Sequence, residues 1–117
     1  MGLFQQHANH KHGADLMREE LVTLVIKAFQ EISEQQDLTL AAPPSEETPL
    51  FGSDGLLDSM GLVTLVVAVE QAIEDTFGIS TSLADERALS QRNSPFRTIG
   101  TLADYAHAVI NATASNG

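Results

Sequence analysis

The most regular hydrophobic pattern in the chain lies between residues 58 and 77. Its apolar positions recur at steps of three and four, as on one face of an α-helix: Leu62, Leu65, Val66, Val69, Ile73 and Phe77. The run of β-branched residues also suits a strand, but strands rarely exceed about ten residues, so the length favours a helix. We predict a helix over 58–77 with Asp58 as its N-cap, Ser59 at its first position and Gly78 just after its end.

Two further helices follow from the same periodicity. Residues 15–35 place apolar side chains at helical spacing between charged ones, with Asp15 as the predicted N-cap: Leu21, Leu24, Val25, Ala28 and Ile32. Residues 101–104 (Thr-Leu-Ala-Asp) form a capping-box pattern that predicts the start of a final helix. One face of that helix holds Leu102, Tyr105, Ala106, Val109 and Ile110. A similar pattern at 82–85 predicts a short helix over about 83–90.

The remaining segments lack such periodicity. Residues 1–13 are polar and hold three of the four histidines, and we predict a flexible N-terminal tail rather than a metal site. Residues 36–57 contain two adjacent prolines and two glycines, which predict a long loop of a length that is usually functional or mobile. The predicted fold class is therefore all-α: a bundle of three main helices plus one short helix, with an ordered domain over 14–112 and frayed residues 113–117.

Composition narrows the class of protein. Hydrophobic residues make up 43% of the chain and support a core, while the aromatic share of 5% leaves aliphatic side chains to build it, which favours helix packing. Sixteen acidic residues against six basic ones give a formal net charge of -10. Such a surface repels nucleic acids and anionic membranes, and it attracts proteins that present Lys or Arg patches.

Several features argue against an enzyme, a metal site or a membrane protein. The chain has no cysteine, no apolar run of the roughly 18 residues that span a bilayer, and no signal-peptide pattern at its start. We therefore expect a cytoplasmic monomer without a membrane-inserted segment.

His107 is the only histidine outside the tail, so no base is predicted for a serine nucleophile. Residues 52–55 (Gly-Ser-Asp-Gly) match neither a nucleophile elbow nor, with Asp58, a calcium loop.

Ser59 is the residue that remains as a candidate site. In the first turn of a helix its side chain is exposed beside backbone N–H groups that lack intrahelical acceptors. A phosphate attached there gains roughly 0.3–1 kcal/mol from the helix dipole. Asp58 and Ser59 alone also fit an ordinary capping pair, so the surrounding residues decide between the two interpretations.

Residues 58–70 (Asp-Ser-Met-Gly-Leu-Val-Thr-Leu-Val-Val-Ala-Val-Glu) resemble the phosphopantetheine-attachment motif of the acyl and peptidyl carrier protein family. The resemblance in helix order and acidity covers residues 15–112. It implies that Ser59 carries a covalent 4'-phosphopantetheine arm, that Asp58 helps a phosphopantetheinyl transferase to engage, and that Met60 fills the apolar place after the serine.

The same resemblance implies a tethering function without catalysis. The thiol of the arm would hold an acyl group as a thioester, which suits a chain that has no cysteine of its own. The expected protein is a stand-alone acyl carrier of fatty acid or secondary metabolite biosynthesis. Its expected partners are the transferase, an acyl- or aminoacyl-loading enzyme and downstream acyl-processing enzymes.

The chain departs from fatty-acid carriers in the helix that follows Ser59. Those carriers usually place acids early in this helix, whereas here no acid lies between positions 58 and 70. We therefore expect partners to bind by apolar contact, on a surface made of Met60, Val63, Thr64 and Val67. The sequence Ser-Met-Gly at residues 59–61 resembles D-alanyl carrier proteins, so the resemblance allows an aminoacyl cargo as well as an acyl cargo. The alternative function is an unmodified acidic helical adaptor that binds a basic protein partner.

Overall fold

The computed structural model describes residues 13–40, 42–52, 55–83 and 95–116. These residues form three α-helices and no strand, so the prediction of an all-α bundle is confirmed. The helices are α1 (Gly13–Gln35), α2 (Ser59–Phe77) and α3 (Ile99–Asn116). The short helix predicted over 83–90 lies outside the described residues, apart from Leu83, and so do residues 1–12 of the predicted tail. Helix α3 continues past residue 112, where we predicted the ordered domain to end.

The core is aliphatic and is organised around α1, which packs against both α2 and α3. The stripe predicted on α2 is buried as expected, except that Phe77 is only partly buried. Helix α1 contributes Phe29, which is fully buried although it lies outside the predicted stripe, whereas Leu24 of that stripe is partly buried. The most deeply buried side chains of α2 and α3 are Leu65, Val69, Ile73, Ile99, Leu102, Ala103 and Ala106.

The ends of α2 lie where the sequence predicts them. Asp58 is the N-cap, and its side chain accepts a hydrogen bond from the Gly61 N–H at 2.8 Å. Gly78 follows the last turn in the left-handed conformation, with φ 69°, and its N–H donates to the Glu74 carbonyl at 2.9 Å. The N-cap predicted for α1 is wrong, because that helix begins at Gly13 and Asp15 lies inside its first turn.

The start of α3 also differs from its prediction. We predicted a capping box that opens at Thr101, but the helix begins two residues earlier at Ile99. The Thr98 hydroxyl accepts from the Thr101 N–H at 3.1 Å, and the Thr101 hydroxyl accepts from the Thr98 N–H at 3.0 Å. This reciprocal pair is the capping box, so Thr98 is the cap residue and Thr101 the third residue of the helix. Asp104, the predicted end of the box, instead binds Arg18.

The long loop between α1 and α2 is fastened to the start of α3. The Leu50 N–H donates to the Arg97 carbonyl at 2.7 Å, and the Ile99 N–H donates to the Thr48 carbonyl at 3.1 Å, around an isolated antiparallel bridge. Leu50 and Leu57 are buried in the core. These hydrogen bonds and the two buried leucines hold the described residues of the second half of the loop, and therefore the place where α2 begins.

An ion-pair cluster closes the same junction at the surface. The Arg18 guanidinium of α1 lies 2.7 Å from a Glu46 carboxylate oxygen of the loop and 2.6 Å from an Asp104 carboxylate oxygen of α3. The hydrogen bonds from Arg18 hold the pKa of the Glu46 carboxyl below its usual value, and the bonds to Glu46 and Asp104 raise the pKa of Arg18. One arginine thus links all three segments that meet at this corner.

Candidate functional site

Ser59 is exposed at the first position of α2, as predicted. Asp58 before it has an extended backbone, and its carbonyl accepts the Leu62 N–H at 2.9 Å while its carboxylate accepts the Gly61 N–H. These bonds leave the N–H groups of Ser59 and Met60 without intrahelical acceptors, as at any helix start. The Ser59 side chain therefore lies at an electropositive helix end that is open to solvent.

The first turn of α2 rests on the anchored loop. The Leu57 N–H donates to the Leu50 carbonyl at 2.9 Å, and the Leu57 side chain is buried directly before the cap. Gly61 is buried against this support, since a Cβ at that position would lie 3.2 Å from the Asp58 carboxylate and 3.3 Å from the Leu57 side chain. The glycine allows the turn to lie close to the loop, which holds Ser59 in a defined position.

This role of Gly61 was not part of the sequence prediction. A glycine inside a helix costs roughly 0.5–1 kcal/mol relative to alanine, so its presence in a first turn is a signal of close backbone approach. The structure shows which neighbours the close approach involves: the cap residue, the buried leucine before it and the side-chain amide of Gln36.

Exposed apolar side chains lie before and after Ser59 in the sequence. The described residues have five large apolar side chains that are exposed, and four of them form what we call the apolar patch: Leu56, Met60, Val63 and Val67. Met60 is 75% exposed, Val63 43% and Val67 41%, so the outward orientation predicted for the valines is confirmed. Leu56 was not predicted as part of this surface. Its position before the cap, in the loop, gave no helical periodicity from which to infer exposure.

The predicted contact residue Thr64 is exposed but its hydroxyl is directed to its own helix. It donates to the Met60 carbonyl at 2.9 Å, one turn earlier. Such a bond lowers the polarity that the hydroxyl offers to a partner, because the donor is already used. Thr64 is therefore left with the acceptor of its hydroxyl and its methyl group to offer a partner.

The first carboxylate on α2 after Ser59 belongs to Glu70 and makes a contact within the domain. Glu70 is partly buried, and one of its carboxylate oxygens accepts the Leu83 N–H at 2.6 Å. Leu83 is fully buried. This contact holds the chain after α2 against the helix, so the nearest acid on α2 is engaged within the domain rather than placed beside the apolar patch.

The Ser59 hydroxyl makes no hydrogen bond within the described residues. None of their His, Asp and Glu side chains form a group of three that could hold a metal ion. His107 lies on α3 and is partly buried, with no hydrogen-bond partner for Nε2 in the described ranges.

Comparison with known proteins adds no information about the site. No protein-family model, curated protein or solved structure gives a significant match to it. Within the described residues, no helix has the length and apolarity that a bilayer crossing requires.

Proposed function

We propose that this chain is a stand-alone acyl carrier protein, with a 4'-phosphopantetheine arm on Ser59 that presents an acyl or aminoacyl thioester to partner enzymes. The observation that carries the proposal is the combination found at one helix start. An exposed serine follows a capping aspartate, the turn it begins contacts an anchored loop, and exposed apolar residues precede and follow it in the sequence.

The geometry of Ser59 suits attachment of a phosphate. In the loading step the Ser59 hydroxyl oxygen forms a bond to the phosphorus that carries the pantetheine part of coenzyme A. The pyrophosphate bond of coenzyme A breaks, adenosine bisphosphate leaves, and a base on the transferase takes the hydroxyl proton. The resulting phosphodiester stays at the N-terminal end of α2, where the helix dipole and the N–H groups of Ser59 and Met60 favour its negative charge.

The protein's part after loading is to hold and present the cargo. The arm supplies the thiol that forms the thioester, which this cysteine-free chain lacks. Leu56, Met60, Val63 and Val67 offer partner enzymes an apolar contact beside the attachment point. The excess of ten negative charges steers enzymes with basic surfaces towards the domain from a distance.

The test is modification by coenzyme A in the presence of a promiscuous phosphopantetheinyl transferase. The expected result is one added phosphopantetheine per chain in the intact mass of the wild type and none in Ser59→Ala. Ser80→Ala, which removes another exposed serine, is the matched control and is expected to be modified like the wild type. A chain that stays unmodified while a known carrier in the same tube is loaded would favour the acidic adaptor instead.

A further inference from the structure

A groove lies between the first half of α1 and the last turn of α2. It has a volume of about 560 Å³ and is lined by Leu16, Glu19, Glu20, Thr23, Leu24 and Thr76. Among the described residues, Leu16 is the one exposed large apolar side chain outside the apolar patch, and 46% of it is open to solvent. The groove therefore offers apolar surface away from the region that the proposed function uses.

The charged residues that line the groove are both acidic. Glu19 and Glu20 are exposed, and neither carboxylate has a hydrogen-bond or ion-pair partner among the described residues. Thr76 lies in the last turn of α2, which holds no basic residue, so no cation of its own helix offsets the negative end of the helix dipole. The groove therefore suits a segment that combines apolar side chains with positive charge.

The sequence directly before α1 has this composition. Residues 1–12, which we call the basic segment, contain Leu3 and Phe4, which we call the apolar pair. The ionisable side chains of the basic segment are Lys11 and three histidines, with no acid among them. Because the whole chain has a formal net charge of -10, this segment is opposite in charge to the rest of the chain.

The groove lies within reach of the basic segment. Leu24 lies eleven residues after Gly13, which is about 17 Å along the axis of α1. Nine residues lead from Phe4 to Gly13, and that length of chain spans up to about 30 Å when it is extended. A chain that turns back at Gly13 therefore brings the apolar pair to Leu16 and Leu24.

We propose that the basic segment folds back into this groove, with the apolar pair against the two leucines and the cationic side chains beside the two glutamates. The inference thus replaces the flexible tail predicted from the sequence by a docked one. Attachment at Gly13 raises the local concentration of the segment to the order of millimolar, so a contact too weak for a free peptide suffices. The docked segment contacts both helices and stabilises their packing.

The inference does not depend on the proposed function. Thr76 lies about 25 Å along α2 from Ser59, so a segment docked at the groove leaves Ser59 uncovered. The Ser59→Ala chain should therefore dock its basic segment like the wild type. Failure of phosphopantetheine loading would count against the proposed function and leave the docking test intact.

A spin label on the full chain tests the docking. The chain has no cysteine, so Gln6→Cys introduces a single labelling site between the apolar pair and the histidines. The label should broaden the amide NMR signals of Leu24 and Thr76 much more than that of Gly61, which lies at the other end of α2. Mixing labelled chains with isotope-enriched, unlabelled chains should give no broadening, because the contact forms within one chain.

Two pairs of variants decide whether the groove holds the segment. Phe4→Ser and Leu16→Ser should each lower the equilibrium constant for docking by roughly tenfold, as expected when one large apolar contact is lost. Gln5→Ser changes a polar neighbour of the apolar pair, and Val63→Ser changes an exposed apolar residue outside the groove. Both should leave the broadening at the wild-type level.

Added salt should also weaken the broadening, because it screens the attraction to Glu19 and Glu20. Equal broadening in Phe4→Ser and Gln5→Ser, or no broadening at Thr76, would overturn the inference. Broadening in the mixed sample would overturn it as well, since the groove would then hold the segment of a second copy.

Discussion

The starts of α2 and α3 are capped in the same way but differ in the exposure of the first helical residue. Both helices begin after a residue whose side chain caps the first turn, Asp58 in one case and Thr98 in the other. The first helical residue is exposed Ser59 in α2 and fully buried Ile99 in α3. Capping alone therefore does not make a site. What distinguishes the start of α2 is that its surroundings leave the first residue and its apolar neighbours open to partners.

The two starts also differ in what surrounds them. The start of α3 is closed by the loop and by an ion-pair cluster, and the N–H groups of residues 98–102 all donate within the domain. The start of α2 packs against the same loop at Leu57 and Gly61, and it carries exposed apolar side chains. The start of α3 stabilises the fold, whereas the proposed function gives the start of α2 the task of presentation, and substitutions at matched positions test this division.

The largest difference is expected between Ile99→Ala and Ser59→Ala. Ile99 is fully buried, so removing most of its side chain should lower the free energy of unfolding by about 2–5 kcal/mol. Ser59 is exposed and makes no hydrogen bond within the described residues, so its truncation should change that free energy by no more than about 0.5 kcal/mol. Urea unfolding of both variants measures the effects. Similar losses in the two variants would contradict the proposed division.

A smaller contrast is expected between the two buried glycines, Gly100 and Gly61. A Cβ on Gly100 would lie 3.1 Å from the Glu46 carbonyl oxygen, which also accepts the Gly100 N–H, so Gly100→Ala strains backbone and should cost about 1–3 kcal/mol. A Cβ at Gly61 would meet only side-chain atoms, the nearest at 3.2 Å, and the gain in helix propensity of up to about 1 kcal/mol offsets part of the strain, so Gly61→Ala should cost less than Gly100→Ala. Thermal midpoints that fall equally in both variants would show that the turn below Ser59 is as rigid as the α3 junction.

The apolar patch should affect binding rather than stability. Val63→Asp places a charge on a side chain that is 43% exposed, so the unfolding free energy should stay within about 0.5 kcal/mol of the wild type. Affinity for the loading enzyme should fall by about tenfold, because an unpaired charge is costly to bury in an apolar contact. Leu16→Asp, which changes the exposed leucine outside the patch, is the control and should bind normally. Equal affinities for Val63→Asp and wild type, with a steep loss in salt, would place the interface on acidic residues elsewhere.

The smallest expected effect is the pH dependence of the Arg18 cluster. Binding to Arg18 lowers the pKa of Glu46 below its ordinary value of 4.5, so the contact stabilises the fold above that pH and is lost as the pH falls through the lower folded-state value. For groups this exposed the contribution is about 1 kcal/mol or less. The drop in urea midpoint between pH 7 and pH 3 should be smaller in Glu46→Gln than in the wild type. Glu47→Gln, beside it but outside the ion pair, should keep the wild-type drop.

The sequence predicts α2 well because three independent signals agree there. The apolar period, the capping aspartate and the glycine after the last turn all mark the same bounds, and the period also shows that Val63 and Val67 point outward. At α3 the capping-box pattern, with an acid three residues after the cap, points to Thr101, yet Thr98 is the cap and the Thr101 hydroxyl takes the place of the acid. The start of the helix depends on Ile99, which the core requires to be inside the helix.

The loop could not be predicted in the same way. Its fixed path depends on hydrogen bonds between residues 46–50 and 97–100, which are about fifty positions apart and carry no shared pattern. The position of Leu56 and the close approach at Gly61 both result from that path. The candidate serine and the exposed valines were therefore predictable from local sequence, while Leu56 and the support under Gly61 required the tertiary contacts.

The central claim is that Ser59 is the attachment point of the arm, and fragment-level mass mapping tests it most directly. The full chain is incubated with coenzyme A and a phosphopantetheinyl transferase, digested, and analysed by tandem mass spectrometry beside a carrier of known behaviour. The account predicts one phosphopantetheine per chain, located on Ser59. A phosphopantetheine found on another residue, or an unmodified Ser59 when the known carrier is fully loaded, would contradict it.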